Sequence, residues 1–442
     1  MWKAMELFRR YIIPALALSV WLGAGLRGQE LNRSEDFYSD SPLLQEYIRF
    51  ALAENPGLQA AFSRYRASLQ RIPQMKALPD PALTFTQFLR SPETRVGPQS
   101  NIISVSQKFP WFGKLDLKSQ VAAREAAALY QLFEGQEREI AAQVKIAFYE
   151  LAYVDRAVSV LEEEESLLSH YETLAQARYS QGSGLQQGAI KIQAEITLIL
   201  DRLKLLNQQR ESLVSRLNTL MNRPPEQSIG LVRDIRLPEV ELNLKELYTL
   251  GEENRQELKA TLARIEKSER SVELAKKDYW PDVSLSAGFI NVGERGDPAG
   301  ILVPPPDNGK NAFSIGVGIN IPIWRDKYHA GVLQATEEAI AERRSYRALQ
   351  NEMDFSIRDQ FVRLQTLEEQ LDLYDKVLLT QAREALRSTE AAYETGQLSI
   401  LELLDSERFL LRTRLIRERY IADYLRALAE LERAIGTRFP VI

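Results

Sequence analysis

The stretch KLDLKSQVAAREAAALYQLFEGQEREIAAQVKIAFYELAYVDRAVSVLEEEESLLSHYETLAQAR, Lys114 to Arg178, decides the fold. It runs for 65 residues without proline and with one internal glycine, Gly135. As a single helix it would be about 100 Å long, whereas ordinary globular helices average about 11–12 residues. Val144, Ala147, Leu151, Val154, Val158, Leu161 and Leu168 follow at alternating spacings of three and four, the seam of a coiled coil. Glu162 to Glu165 interrupt that seam as a charge run, which reads as a solvated face. A second stretch, Lys327 to Glu394, has nearly the same length, with Ile357, Phe361, Leu364, Leu371, Tyr374 and Leu378 as its stripe. Helices this long exclude a compact enzyme core and need partners of matching length.

The flanking sequence supplies those partners. Pro42 opens a helix over 43–78, broken at Asn55-Pro56-Gly57 and ended by Pro79-Asp80-Pro81. Strands are expected at 83–89 and 102–109, with a loop by composition at 91–100. The long helix over 114–178 follows, then a turn with Gly182 and Gly184, a helix over 186–221 and a linker to about 242. The order then recurs: a helix over 244–279, strands at 283–292 and 313–321, the long helix over 327–394, a turn at Gly396 and a helix over 398–435. Pro281 follows Pro79 by 202 residues and Pro322 follows Pro110 by 212, while Tyr393 and Leu431 follow Tyr179 and Leu217 by 214. The offset jumps within the inter-strand loop, as a structural duplication predicts. The chain therefore divides into a leader, 1–28, and two repeats, 29–242 and 243–442.

Composition narrows the class. The chain has 442 residues, is 45% hydrophobic and 26% charged, and has a net charge of −5, with no basic excess pointing to nucleic acid. Cysteine is absent, which excludes disulfides, thiolate metal sites and cysteine nucleophiles. His170 and His329 are the only histidines, too few for a histidine-based metal site or relay. Residues 1–28 read as a cleaved secretory signal: Lys3, Arg9 and Arg10, an apolar run from Tyr11 to Leu22, then Gly23, Ala24 and Gly25. No later apolar run reaches about 18 residues, so a mature chain that crosses a membrane must do so with strands.

The four strands carry the most specific signal. Phe313, Ile315, Val317, Ile319 and Ile321 alternate with Ser314, Gly316, Gly318 and Asn320. Val283, Leu285, Ala287 and Phe289 alternate with Ser284, Ser286 and Gly288. Ile103, Val105 and Phe109 alternate with Ser104, Ser106 and Lys108, with Gln107 breaking the apolar row. The first strand is weaker, with Leu83, Phe85 and Leu89 on one side. One large apolar face and one small polar face suit two environments. A soluble sandwich would bury the apolar face on a second sheet, which nothing else in the chain offers. A lipid-facing outside and a wet inside fit instead, with Ile103, Val105, Val283, Leu285, Phe313, Ile315, Val317 and Ile319 toward lipid. Trp111, Trp280 and Trp324 stand at strand ends, where an interfacial belt belongs. Four strands cannot close a barrel, and an open edge is not tolerated in lipid. Two chains would give eight strands and three would give twelve; only the larger barrel leaves much of a channel, which favours three.

With these features the chain resembles the TolC-like outer-membrane efflux proteins. The resemblance covers nearly all of the mature chain. It rests on the doubled order of helix, two strands, long helix and helix, on Val105-Ser-Gln-Lys-Phe-Pro-Trp-Phe-Gly-Lys114, and on Tyr-x-x-Gly at both turns, Tyr179/Gly182 and Tyr393/Gly396. It implies a mainly α protein with a membrane β-barrel, in which a homotrimer shares a twelve-stranded barrel above a long antiparallel α-helical barrel. It also implies a passive exit duct in the outer membrane of a Gram-negative bacterium. Such a duct works with a periplasmic adaptor and an inner-membrane transporter, without a cofactor. The Gln-x-Phe-Pro-Trp-x-Gly-Lys stretch resembles the heavy-metal branch, many of whose members are lipidated on a cysteine that this chain lacks.

The resemblance also assigns sites. Tyr179, Gly182, Gly184, Tyr393 and Gly396 would form the periplasmic tip that docks on the adaptor; glycine after a helix is also an ordinary C-cap. Glu402 and Asp405 lie one helical turn apart on one face. In the family, acids at these two places line the constriction and favour cations. In a trimer they would form two stacked rings of carboxylates. Gly188 and Lys191 stand at the equivalent positions of the first half, so only one turn per chain would supply the ring. Two exposed helix acids with no special role are the plainer alternative. No phosphate loop, paired-histidine motif or nucleophile elbow occurs, so no catalytic residue or metal ligand is expected. The competing class is a periplasmic coiled-coil adaptor or adhesion protein, which would share the long helices but lack four lipid-facing strands.

Overall fold

The computed structural model describes residues 41–439 apart from Ser183, Gly184, Arg233, Asp234, Arg236, Glu239 and Glu241. The expected leader over 1–28 and the tip residue Gly184 lie outside the described residues.

The first long stretch forms one helix, α3 (Lys114–Ser180), of 67 residues. Val144, Ala147, Leu151, Val154, Leu161 and Leu168 are buried along it, because spacings of three and four keep them on one face. The charge run departs from expectation at one residue. Glu162 and Glu163 are exposed, but Glu164 is only 6% exposed. Residues 161, 164, 168, 171 and 175 hold the seam spacing, and Glu164 occupies a seam position whatever its polarity.

Helices α1 (Pro42–Glu54) and α2 (Pro56–Lys76) precede the first strands, and α4 (Gln186–Leu220) follows α3. Asn55 stops α1 and starts α2: its Oδ1 accepts the Leu58 N–H at 3.1 Å, and Pro56 sits where no intrahelical donor is needed. The second half has α5 (Leu244–Asn254) and α6 (Gln256–Lys277), where the sequence predicts one unbroken helix over 244–279. Arg255 takes φ −63° and ψ 117°, nearly the −64° and 118° of Asn55. No local sequence signal marks this break. The end of the last helix presses on it: a Cβ added at Gly436 would lie 2.7 Å from the Arg255 Cα.

The second long stretch divides into α8 (Arg325–Leu373), a π-helical turn at Tyr374–Leu378 and α9 (Leu379–Glu394), without leaving the helical path. The turn closes with a bond from the Leu379 N–H to the Tyr374 carbonyl. An extra residue per turn rotates the stripe, so Tyr374 and Leu378 are half-buried and the buried set resumes at Ala382 and Leu386. Helix α10 (Ile400–Ile435) completes the chain.

Helix α3 lies against α2, α4, α6 and α10, and α8 lies against α6 and α10. One apolar core includes Ile48, Phe148, Leu217, Ile357 and Leu431. A second, nearer the helix turns, includes Leu168, Ile192, Leu386 and Leu403. Among the described residues no helix is long and apolar enough to cross a membrane.

The strands are β1 (Ala82–Gln87), β2 (Glu93–Thr94), β3 (Gly97–Phe109), β4 (Val283–Val292) and β5 (Ala312–Ile319). They pair antiparallel in the order β1-β3-β4-β5, and the two-residue β2 pairs with the start of β3. The expected loop at 91–100 therefore contains β2 and the first rungs of β3's ladder, which the Gly293 N–H extends by donating to the Pro98 carbonyl at 2.8 Å. A short helix, α7 (Pro298–Leu302), lies in the longer second inter-strand loop.

Candidate functional site

The sheet register sorts the side chains. Phe85, Ile103, Phe289 and Phe313 form one cross-strand row, and Leu83, Val105, Ala287 and Ile315 form the next. Gln107, Leu285 and Val317 follow, then Phe109, Val283 and Ile319. All eight strand residues singled out from sequence thus share one face, because side chains two apart on a strand point the same way. The opposite face carries the rows Ser104–Gly288–Ser314, Ser106–Ser286–Gly316 and Lys108–Ser284–Gly318. The apolar face is bare in the single chain: Leu83, Phe85, Phe313, Ile315 and Val317 are all exposed. Strands β1 and β5 each have one neighbour, so both outer edges carry unpaired backbone groups.

The sheet joins the helices through Asp282. Its Oδ1 accepts the Trp111 N–H at 2.9 Å and the Lys114 ammonium at 3.0 Å, and its Oδ2 meets Lys108 at 3.0 Å. Its own N–H donates to the Asn320 side chain just beyond β5. One carboxylate therefore ties the end of β3, the start of α3, the start of β4 and the end of β5. Burial opposes its charge, but the Trp111 N–H and the two lysines outweigh burial and hold the carboxyl down to about 2. Beside it the Trp111 and Trp280 rings stack, with centroids 5.0 Å apart and planes 10° apart. Tyr279 and Tyr328 pair at 5.6 Å, and Trp324 is exposed. An aromatic cluster thus rings the helix end of the sheet.

At the far end stand the two helix turns, where the Gly182 N–H donates to the Tyr179 carbonyl at 3.0 Å just as Gly396 does to Tyr393. Gly182 has φ +73° and Gly396 has φ +77°, both left-handed, with no atom within 4 Å of an added Cβ. At the second turn the Gln397 N–H donates to the Ala392 carbonyl at 2.8 Å and the Gly396 N–H to Tyr393 at 3.0 Å, the glycine C-cap that only a positive φ permits. Tyr179 is 49% exposed, whereas Tyr393 is 7% exposed. Arg178 links the turns: its guanidinium donates to the carbonyls of Tyr393 at 2.9 Å and Glu394 at 3.0 Å, and lies 4.3 Å from the Tyr393 ring centroid. A cavity of about 230 Å³ between the turns is lined by Arg178, Leu185, Gly188, Tyr393 and Ile400.

Glu402 and Asp405 sit in the first turns of α10, both exposed. Glu402 accepts the Ser399 N–H at 2.7 Å and the Ser399 hydroxyl at 2.8 Å, a capping box at the helix start that holds its carboxyl below the usual range. Asp405 pairs with Arg408 at 3.2 Å, and Arg408 also reaches Glu195 on α4. The cation beside Asp405 is thus Arg408 of its own helix.

Residues 247–437 match the model of the family described as outer membrane efflux protein. The outer membrane protein TolC of Vibrio cholerae is 26% identical over 194 residues, which is 41% of each chain. The cobalt-zinc-cadmium resistance protein CzcC of Cupriavidus metallidurans is 20% identical over 399 residues, 89% of this chain and 90% of the relative. Among solved structures, the outer-membrane channel OprN superposes with a TM-score of 0.75 at 18% identity, covering 90% of both chains. VceC from Vibrio cholerae gives 0.75 at 18% identity, covering 90% of this chain and 97% of that one. At these identities the structural likeness shows the fold.

The chain is similar to the outer-membrane efflux proteins in its second half and shares their fold along most of its length.

Two residues of this TolC-like chain escape a reading of the sequence. Asp282 reads there only as part of a helix stop, and Arg178 only as the end of a helix. The basic and aromatic residues of Val105–Lys114 are the available signal for the first, because a buried lysine such as Lys114 needs a carboxylate. Nothing near Arg178 in sequence points to Tyr393, 215 residues away. Among the described residues of the TolC-like fold, no group of three or more acidic, histidine or cysteine side chains could hold a metal ion.

Proposed function

We propose that this chain is the outer-membrane exit duct of a tripartite efflux system. It would conduct substrate passively from a periplasmic adaptor and inner-membrane transporter to the outside. The observation that carries this reading is the sheet: four strands, one exposed apolar face and two unpaired edges. Lipid satisfies the face, but only neighbouring strands satisfy the edges. Three copies joined β5 to β1 would close a twelve-stranded barrel with the Ser/Gly face toward a wet interior and the apolar face toward lipid. The aromatic cluster around Trp111 and Trp280 would lie at the periplasmic interface. The adaptor alternative is not favoured, since the fold's neighbours are outer-membrane channels.

The two halves are read as structural repeats, supported by the matching backbone at Asn55 and Arg255. The two glycine turns would form the adaptor-docking tip, and Glu402 with Asp405 the carboxylate rings of the constriction. The alignment with CzcC, named for cobalt, zinc and cadmium resistance, makes metal ions the first substrate to test. The assembly is tested by placing cysteines on the β1 and β5 edges of this cysteine-free chain, oxidising, and measuring mass and single-channel conductance in detergent and planar bilayers. Covalent trimers that conduct are expected. A conducting monomer with both edges uncrosslinked would refute the shared barrel.

A further inference from the structure

Glu407 on α10 is 1% exposed, and its Oε2 has no hydrogen-bond partner. Its Oε1 lies 3.1 Å from the Tyr171 hydroxyl on α3. The same hydroxyl lies 2.5 Å from Glu390 Oε1 on α9. A phenol carries one hydrogen and can donate to only one of these acids. With that hydrogen on the nearer Glu390, the Glu407 contact is a hydrogen bond only if Glu407 itself carries a proton. The buried Oε2 is then a neutral carbonyl oxygen, far cheaper to leave unpaired than a carboxylate.

Glu164 of α3 stands in the same place. It and Glu407 line a cavity of about 650 Å³ between α3, α4 and α10, with Leu168, Ile199 and Leu411 in the walls. The cations around it are engaged elsewhere or lie at the rim. Arg414 holds Glu163 at 2.6 Å, Arg408 holds Glu195 and Asp405, and Arg419 holds Glu150 at 2.6 Å and Asp423 at 2.7 Å. Arg202 and Arg412 are exposed at the cavity mouth. Tyr153 lines the far wall, and His170, beside Tyr171, points to solvent.

We propose that Glu407 and Glu164 form a proton-binding site that joins the α3–α4 hairpin to the α9–α10 hairpin, and that losing the protons loosens that contact. Burial, then the charge of Glu407, pushes Glu164 up to about 8, against the pull of Arg414. Burial pushes Glu407 up to about 7, with the Glu390 charge adding to the rise and Arg414 opposing it. Burial and the Glu390 bond also raise Tyr171, which stays a phenol. Both acids titrate above the ordinary 4.5 of a solvated glutamate. The packed arrangement therefore binds protons that a solvated one releases. Its contact weakens as pH rises from about 4.5 and is weakest above about 8. The proposal concerns packing within one chain and stands whether or not the chain conducts.

The test uses the full chain in mild detergent. Infrared spectra should show a protonated-carboxyl band at pH 7 that converts to carboxylate by pH 9 and is diminished in Glu407→Gln and in Glu164→Gln. Hydrogen exchange over 160–175 and 403–411, corrected for intrinsic rate, should quicken about tenfold or more between pH 6 and pH 9 in the wild type. A carboxyl that binds its proton about ten times more tightly in the packed form favours that form by the same factor. Exchange should stay flat in the double glutamine variant. Absence of the band at pH 7, or exchange equally fast at both pH values in the wild type, overturns the proposal even if the variants fail to fold. A pH response retained in a folded double variant overturns it as well.

Discussion

Replacing Asp282 by asparagine should unlock the joint between sheet and helices while leaving each element intact. Asp282 has an ordinary carboxyl value of 3.8 and is held near 2 in the fold. At about 1.4 kcal/mol per pH unit, that lowering corresponds to about 2 kcal/mol of stability. The value is depressed, so this stability is present above about pH 4 and is lost as pH falls through about 2. Asparagine keeps the Trp111 N–H bond but removes the charge facing Lys108 and Lys114. Lys114 is left with the Trp280 carbonyl at 3.3 Å and Asp278 at 3.4 Å. Urea unfolding in detergent, followed by the fluorescence of the stacked Trp111 and Trp280, should show the variant about 2 kcal/mol less stable at pH 7. The gap should close near pH 2. Equal stability at pH 7, or a gap of the same size at pH 2, would refute the reasoning.

Val317→Lys should impair membrane insertion by about 2–4 kcal/mol per chain, whereas Gly318→Ser should be tolerated, since an added Cβ there meets only Ser284 at 3.8 Å. Insertion into vesicles measures both, and equal behaviour would mean that the face assignment is wrong. Gly396→Ala should destabilise the turn by about 1–2 kcal/mol through its positive φ, read as faster exchange of the Gln397 amide; an unchanged rate would show that the turn relaxes freely. Glu402→Gln with Asp405→Asn should lower cation selectivity and remove block by multivalent cations in planar bilayers. Unchanged block would place the constriction elsewhere.

Much of this architecture is a matter of period and length. Alternation by two in Phe313–Ile319 and by three and four in Val144–Leu168 is local, and so is a proline that stops a helix. The strands, the long helices, their order and the phase of the apolar face were legible for that reason. Glu402 and Asp405 were legible as a one-turn pair, but not that Glu402 caps its helix through Ser399.

What only the tertiary structure decided depends on neighbours distant in the chain. Glu164 is the same residue type as Glu162 and Glu163, yet it is buried because α4 and α10 cover its side of the helix. The α5–α6 break at Arg255 has no proline; it lies against Gly436, 181 residues on. Asp282 reads as one more residue after a helix until β3, α3 and β5 converge on it. Residue spacing sets which face a side chain takes. Whether that face meets water, a carboxylate or another helix is decided by long-range packing, which no local pattern encodes.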